Sequence, residues 1–514
     1  MRISKTIRTL RVPHVPTLLA LSVATLLLGG CAVSSDPFSQ QQSKQRVSAD
    51  LSAMFKEQAP VSKPITLHEA MARALTYNLE SRLKIREEAL AQQQIDLASF
   101  DMLPRLAMDA GYVSRNNTSA SSSQSVDSGL QSLEPSTSQD RHRRVADLNM
   151  VWNVLDFGVS YVTAKQQADR RWIAEERRRK VVQTVIQDVR SAYWRAVAAE
   201  RLLGRIDALL DRVKMARETS QKMSKERVGD PITVLSYQRA LIEATRQLEE
   251  QRRALSLAKT ELATLMNLPL GTDYSLALPT EEEMPIPALN LDFAQLEQAA
   301  LINRPELREQ DYQTRISAAE TRKAMLRMLP GLEFALGGHY DSNSFLVNQS
   351  WADAGAKVTW NLFNLFSGPA AKASAEAGER VAETKRQAMS MAILAQLYVA
   401  RANFNEANRQ FLTSKELQSL DGQIADQLRN RFKSGGIGEL ELIQGELNAL
   451  SASLRRDLAY AELRNAYGQI FVTVGLDPLP KTLPSASLSA IEQTLSQTEQ
   501  AWDHGKFEVM QPAS

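Results

Sequence analysis

Apolar side chains recur at helical spacing over the longest uninterrupted stretches of this 514-residue chain. Val182, Val185, Ile186, Val189 and Tyr193, then Leu202, Leu203, Ile206, Leu209, Leu210 and Val213, make one stripe with charged and Gln-rich positions opposite, the pattern of an amphipathic helix. No proline stands between Pro135 and Pro231 or between Pro369 and Pro478, although the chain has 19, so both stretches are free to be continuous helix. From Val159 to about Arg227 a helix would run roughly 70 residues and about 100 Å, far more than a compact domain needs. Two more periodic stretches, Ile232 to Met266 and Glu439 to Val472, follow glycine-containing turns and predict antiparallel return helices. An ordinary coiled coil satisfies the same stripes.

Elsewhere the period is two. Between Val145 and Leu155, Ala146, Leu148, Met150, Trp152 and Val154 alternate with a set containing Asp147, Asn149 and Asn153. Between Trp351 and Leu362, Ala352, Ala354, Ala356, Val358, Trp360 and Leu362 alternate with a set containing Asp353, Lys357, Thr359 and Asn361. Partner strands are readable at Leu106 to Tyr112 and Leu332 to Tyr340. Alternation over about ten residues with tryptophan near one end fits a transmembrane β-strand with lipid outside and water inside; a half-buried soluble sheet alternates too. Four strands leave two open edges, which cannot face hydrocarbon unpaired, and four cannot close a barrel around a channel. In a membrane such a barrel must be shared between subunits.

The chain also repeats itself. "MLP" at Met102 recurs at Met328, an offset of 226, and at the same offset "RALTYN" from Arg73 matches "AALINR" from Ala299. Trp152-Asn153 recurs as Trp360-Asn361 at an offset of 208, and the Gly229 turn recurs near Gly436. The shorter offset fits a longer loop in the first copy, the low-complexity "NNTSASSSQSVDSG" from Asn116. Two copies of helix, hairpin, very long helix, turn and helix, over 64–284 and 285–478, therefore make up most of the chain, with 479–514 left as an equatorial or disordered tail.

Composition changes the picture mainly at the amino terminus. Arg2, Lys5, Arg8 and Arg11 precede the apolar run Thr17 to Leu28, and no acid interrupts the first thirty positions. As a helix that run is about 18 Å long, too short to cross a bilayer, so 1–30 reads as a secretory signal peptide. The chain's one cysteine, Cys31, follows at once. Leu28, Gly29, Gly30 and Cys31 resemble the lipobox of bacterial lipoproteins, which implies cleavage before Cys31, acylation with palmitate and related chains, and anchoring in a leaflet. Ala32 stands where aspartate favours inner-membrane retention, which points to the outer membrane. The Ser- and Gln-rich stretch 31–63 reads as a polar tether.

Loss of 1–30 removes four cations and no anion, turning the formal charge of +2 into −2. The basic balance that would suggest nucleic acid thus belongs largely to the signal peptide. Disulfides and thiolate metal sites need cysteines that the mature body lacks, and the five histidines, at 14, 68, 142, 339 and 504, are scattered away from metal-ligand spacing. No catalytic constellation, cofactor motif or metal motif emerges, and an enzyme is not expected.

Together these residues resemble the TolC-like outer-membrane efflux and export factors over about Pro64 to Pro478. The likeness rests on the duplication, "LEQAALINRPEL", the "MLP" strand entries, the strand ends "WNVLDFG" and "WNLFNLFSG", and the turns "RVGDPITVL" and "RFKSGGIGELELI". It implies a mainly α fold with a small β part: a homotrimer whose four strands per subunit close a 12-stranded barrel in outer-membrane lipid, continued by a periplasmic tunnel of helical hairpins. It implies docking onto a periplasmic adaptor and an inner-membrane transporter. Leu148, Met150, Trp152, Ala356, Val358 and Trp360 would face lipid. Gly229, Asp230, Gly435, Gly436 and Glu441 would form the periplasmic entrance. The first copy has Val234 where the second has Glu441, and Gln444 replaces a second acid, so the entrance is expected to be less acidic than in some relatives.

Three features have plain alternatives. "KSGGIG" at Lys433 lacks the Lys-Ser/Thr of a phosphate loop. The basic cluster Arg170, Arg171 and Arg177 to Lys180 reads as a solvated helix face interspersed with Glu175 and Glu176. "FNLFSG" at Phe363 reads as a strand-to-helix corner. The leading expectation is a passive outer-membrane conduit of a tripartite efflux or export system; the alternatives are the outer-membrane factor of a type I secretion system and a lipid-anchored periplasmic scaffold without a pore.

Overall fold

The computed structural model of the protein describes residues 36–226, 230–279, 284–287, 292–480, 487–504 and 506. Two units are distinguished, 1–56 and 57–514. In the first, the described element is helix α1, Gln40–Phe55. This helix lies within the stretch read as a polar tether; Ser39 and Gln42 close a reciprocal capping box at its start, which satisfies two orphan donors and stabilises a first turn.

The second unit carries the duplication in its elements. The first copy is α2 (Leu67–Tyr77), α3 (Leu79–Phe100), β1 (Arg105–Ser114), a loop holding the small ribbon β2 (Ala120–Ser121) and β3 (Ser136–Thr137), then β4 (His142–Asn153), α4 (Val154–Lys225) and α5 (Pro231–Leu265). The second copy is α6 (Phe293–Asn303), α7 (Pro305–Leu326), β5 (Gly331–Asp341), β6 (Ser350–Thr359), α8 (Asn364–Lys433) and α9 (Glu439–Val474). The matched helices have 11 and 11, 22 and 22, 72 and 70, and 35 and 36 residues. At about 1.5 Å per residue α4 and α8 each exceed 100 Å. A last helix, α10 (Leu488–Asp503), packs on α2.

The long helices hold a repeat of seven. In α4 the buried positions Ala199, Leu202, Ile206, Leu209, Val213 and Ala216 step by three and four; so do Leu241, Ala244 and Leu248, then Leu255, Ala258 and Leu262, in α5. Ile393, Leu397, Ala400, Phe404, Ala407 and Phe411 in α8 repeat the pattern, as do Ile443, Leu447, Leu450 and Leu454 in α9. A 3.5-residue period keeps the seam on its partner when the helices wind left-handed about each other. One core gathers α4, α5 and α9 toward the turns. The other, larger, gathers α2, α6 and α10 around the middles of α4 and α8 and the ends of α5 and α9.

The long helix begins earlier than Val159 because Asn153 ends the strand: its Oδ1 accepts from the N–H groups of Leu155 (3.0 Å) and Asp156 (3.3 Å), an N-cap. The expected strand to Leu155 therefore stops at Asn153. Pro369 is the sixth residue of α8, so its missing N–H leaves out one intrahelical bond, to the Leu365 carbonyl, close to the helix start.

The basic cluster is only in part a solvated face: Arg170, Arg177 and Lys180 are exposed, but Arg179 is buried and most of the cluster is held in ion pairs. Glu176 is buried and receives Arg308 Nε at 2.6 Å and the guanidinium of Arg179, which also reaches Asp477 at 2.8 Å. Arg178 reaches Glu88 at 2.7 Å, Arg177 reaches Glu309 at 2.6 Å and Lys180 reaches Glu306 at 3.2 Å. These residues join α3, α4, α7 and the end of α9. The partners are remote in sequence, so spacing within α4 does not reveal them.

Where it is described, the carboxy-terminal segment packs against the larger core. Ile491 and Leu495 of α10 enter the larger core, Trp502 stacks on Phe471 at 4.9 Å, and Thr66 donates to Glu492 at 2.8 Å. Glu499, mostly buried, lies 2.7 Å from His68, 3.3 Å from Arg464 and 3.5 Å from Arg190. Burial alone would raise its carboxyl pKa, but Arg190, His68 and Arg464 outweigh that and hold it down to about 2. A carboxyl depressed on folding stabilises the native state above its ordinary pKa and loses that contribution as pH falls through the folded value, here from about 4.5 to about 2. Thermal unfolding followed from pH 6 to pH 2 should therefore show an acid loss of up to about 3 kcal/mol from this group. Glu499→Gln should be less stable at pH 6 and show a flatter acid limb; an identical limb would remove Glu499 from the linkage.

Candidate channel wall and helical turns

Four strands form one antiparallel sheet in the order β1-β4-β5-β6. Because the side-chain period is two, register alone decides which residues share a face. Leu106 pairs with Met150, Met108 with Leu148 and Ala110 with Ala146. Met150 pairs with Leu336 and Trp152 with Phe334. Leu332 pairs with Val358, Phe334 with Ala356 and Leu336 with Ala354. Leu148, Met150, Trp152, Ala356 and Val358, named from alternation, thus lie on one face with Leu106, Met108, Leu332, Phe334 and Leu336. Much of this apolar face is open: Met108 is 75 % exposed, Val358 68 % and Leu336 50 %. Trp360 departs from the expected set, since β6 stops at Thr359; its indole Nε1 donates to the Met328 carbonyl at 3.1 Å in the corner before α8. "FNLFSG" is that corner and the first turn of α8.

The opposite face is polar. It presents Arg105 and Asp109 from β1; Arg143, Asp147 and Asn149 from β4; Glu333, His339 and Asp341 from β5; and Asp353 and Lys357 from β6. Arg143 pairs with Asp341 at 2.8 Å, and Glu333 stands opposite Lys357. At the end away from the long helices the two inter-strand loops are fastened together: Asn343 Nδ2 donates to the Ser138 carbonyl, and Ser344 Oγ to Asp140, at 3.0 and 2.9 Å. The outer edges of β1 and β6 have no strand partner among the described residues.

The helical turns lie at the other end of the hairpins. Gly229 and Leu28, Gly29, Gly30 and Cys31 fall outside the described residues. Asp230 caps α5, accepting from the N–H and hydroxyl of Thr233, each at 2.9 Å; these bonds hold its carboxyl below the ordinary range. In the second turn Gly435 is left-handed at φ +74°. Its N–H donates to Phe432 and that of Gly436 to Arg431, at 3.0 and 2.8 Å, the paired bonds of a Schellman stop. "KSGGIG" is therefore a helix terminator. Glu441 is exposed in the first turn of α9. Glu446, which sequence reasoning passed over, holds the two hairpins together: it contacts Arg212 of α4, and Arg429 of α8 at 3.4 Å. Its signal is contact across 234 residues of sequence, invisible to local spacing.

Among the described residues, no group of three His, Cys, Asp or Glu side chains could hold a metal ion, and no described helix is long and apolar enough to cross a membrane.

This arrangement is the fold of TolC-like outer-membrane channels. The chain is similar to the CmeC outer-membrane channel of Campylobacter jejuni, at TM-score 0.64 and 13% identity, over 91% of this chain and 98% of that one. It is similar to CusC, described for transmembrane channel formation, at TM-score 0.61 and 17% identity over 80% and 92% of the two chains. It is similar to the open state of the MtrE outer-membrane channel of Neisseria gonorrhoeae, at TM-score 0.60 and 19% identity over 78% and 88%. No protein-family profile and no curated protein matches the sequence. At these identities the likeness is one of fold.

If the apolar sheet face meets lipid, Leu148→Arg or Ala356→Arg should cost about 2–4 kcal/mol near the midplane, whereas Asn149→Arg, on the polar face, should be tolerated. The amount of folded protein recovered from outer membranes measures this; equal recovery of all three variants would reject the facing.

Proposed function

We propose that the protein is the outer-membrane channel of a tripartite efflux or export system, a passive conduit without catalysis. The observation that carries the reading is the four-stranded sheet, apolar across one face, polar across the other and unpaired at both edges. Such a sheet is unstable in hydrocarbon until its edges are paired. Three copies, with β6 of one meeting β1 of the next, give 12 strands and remove every edge. The polar face then lines water, and the paired long helices continue the wall as a tunnel toward the turns. Structures of similar fold at comparable chain coverage are outer-membrane channels.

On this reading the signal segment exports the chain, Cys31 carries the acyl anchor, and the turns around Gly229, Asp230, Gly435, Gly436 and Glu441 form the periplasmic entrance. A periplasmic adaptor coupled to an inner-membrane transporter docks there. Opening is a shift between closed and open populations of the hairpins, biased by docking. The energy is spent at the inner membrane.

Conductance in planar bilayers tests the reading. Purified wild-type protein should insert and conduct; a protein that inserts and never conducts, even with its turns mutated, is a scaffold. Glu441→Lys should leave assembly intact and change both conductance and the reversal potential in a salt gradient, because a threefold axis repeats the substitution at one constriction. Unchanged values would place Glu441 away from the pore, where surface charge changes are worth under about 0.5 kcal/mol. The anchor is tested separately: Cys31→Ala should accumulate as precursor without palmitate label, and normal processing with unchanged labelling would refute acylation there.

A further inference from the structure

On the polar face of the sheet, His339 of β5 stands between carboxylates of both neighbouring strands. Its Nδ1 is 2.6 Å from Asp147 Oδ1 on β4, and its Nε2 is 3.1 Å from Asp353 Oδ2 on β6. The imidazole stacks on Trp351, with centroids 5.1 Å apart and planes 20° from parallel. Gly337, two residues earlier on the same face, makes the contact possible, since a β-carbon there would collide with both His339 and Asp353.

A neutral imidazole carries one N–H and can donate to one carboxylate; the imidazolium donates to both. The geometry therefore fits the charged ring at both nitrogens and the neutral ring at only one. The charged groups of the wall around it are known from register. Asp109 of β1 stands opposite Asp147, which stands opposite His339, and Asp353, opposite Gly337, is the diagonal neighbour of His339 on β6. Arg143 of β4 is paired with Asp341 of β5. Lys357 of β6 faces Glu333 of β5, and Arg105 of β1 lies opposite Val151 near the helical end. Among the described residues of this face, His339 alone is of the type that ordinarily changes charge between pH 5 and 8.

We propose that His339 is a pH-responsive selectivity element of the channel wall: its protonation offsets a belt of carboxylates and fastens β4, β5 and β6, so that the pore's preference for cations falls as the lumen acidifies. The inference rests on the channel reading. In a threefold barrel the ring recurs three times at one height, where a change of three charges acts on every ion that passes.

Reversal potentials in a potassium chloride gradient, recorded between pH 8 and pH 5, test this. Wild type should lose about twofold or more of its cation-over-anion permeability ratio across that range. His339→Gln should remove the pH-dependent part, and His339→Lys should hold the ratio near its low-pH value at every pH. Gly337→Ala, which displaces the imidazole from Asp353, should shift or flatten the dependence while the protein still assembles. A wild type that conducts with a pH-independent ratio, or a His339→Gln variant that titrates as wild type does, overturns the inference and leaves the channel reading standing. A wild type that inserts and never conducts overturns both.

Discussion

A buried seam that returns every seven residues is the constraint on which the molecule depends. A straight α-helix drifts by about 20° per heptad relative to such a seam. Over ten heptads of α4 or α8 the apolar stripe of a straight pair would pass from the partner to water. Because Ala199, Leu202, Ile206, Leu209, Val213 and Ala216 keep the seven-residue step, slight supercoiling holds the seam in place. The return helices, of 35 and 36 residues, keep the same step and cover about half the length of their 72- and 70-residue partners. Two cores and a belt of ion pairs then fix where the rods lie against each other.

The sheet obeys a different rule with the same outcome, one continuous face. Register couples the alternation of four strands drawn from two distant parts of the chain, so that Leu148 and Met150 of β4 meet apolar or small residues on both sides. The duplication explains why this works. Each repeat contributes one hairpin, and β4 and β5 join the hairpins into a sheet that neither repeat could make alone.

Much of this was legible in the sequence. Missing prolines and stripes of apolar residues marked the long helices, and alternation at Leu148, Met150 and Ala356 marked the strands and their faces. What escaped were decisions made by one side chain or by distant partners. Asn153 cuts the strand short by capping α4, and the Ser39–Gln42 box makes a helix of polar sequence. Arg179 meets Asp477 across 298 residues and His339 meets Asp147 across 192; no local pattern carries such pairs. The lipobox and the entrance glycine Gly229 remain readings of sequence alone.

The pairing of β4 with β5 also dictates an order of events. Each long helix meets its return helix across a short turn, a contact that closes almost as soon as the chain is made. Val145 must instead find Asp341, nearly two hundred residues away, and loop-closure entropy delays such pairings. The helical hairpins therefore form first and the sheet last. A nascent subunit would pass through a helical rod with its sheet still unmade, and the apolar face would come into being only when both strand hairpins meet.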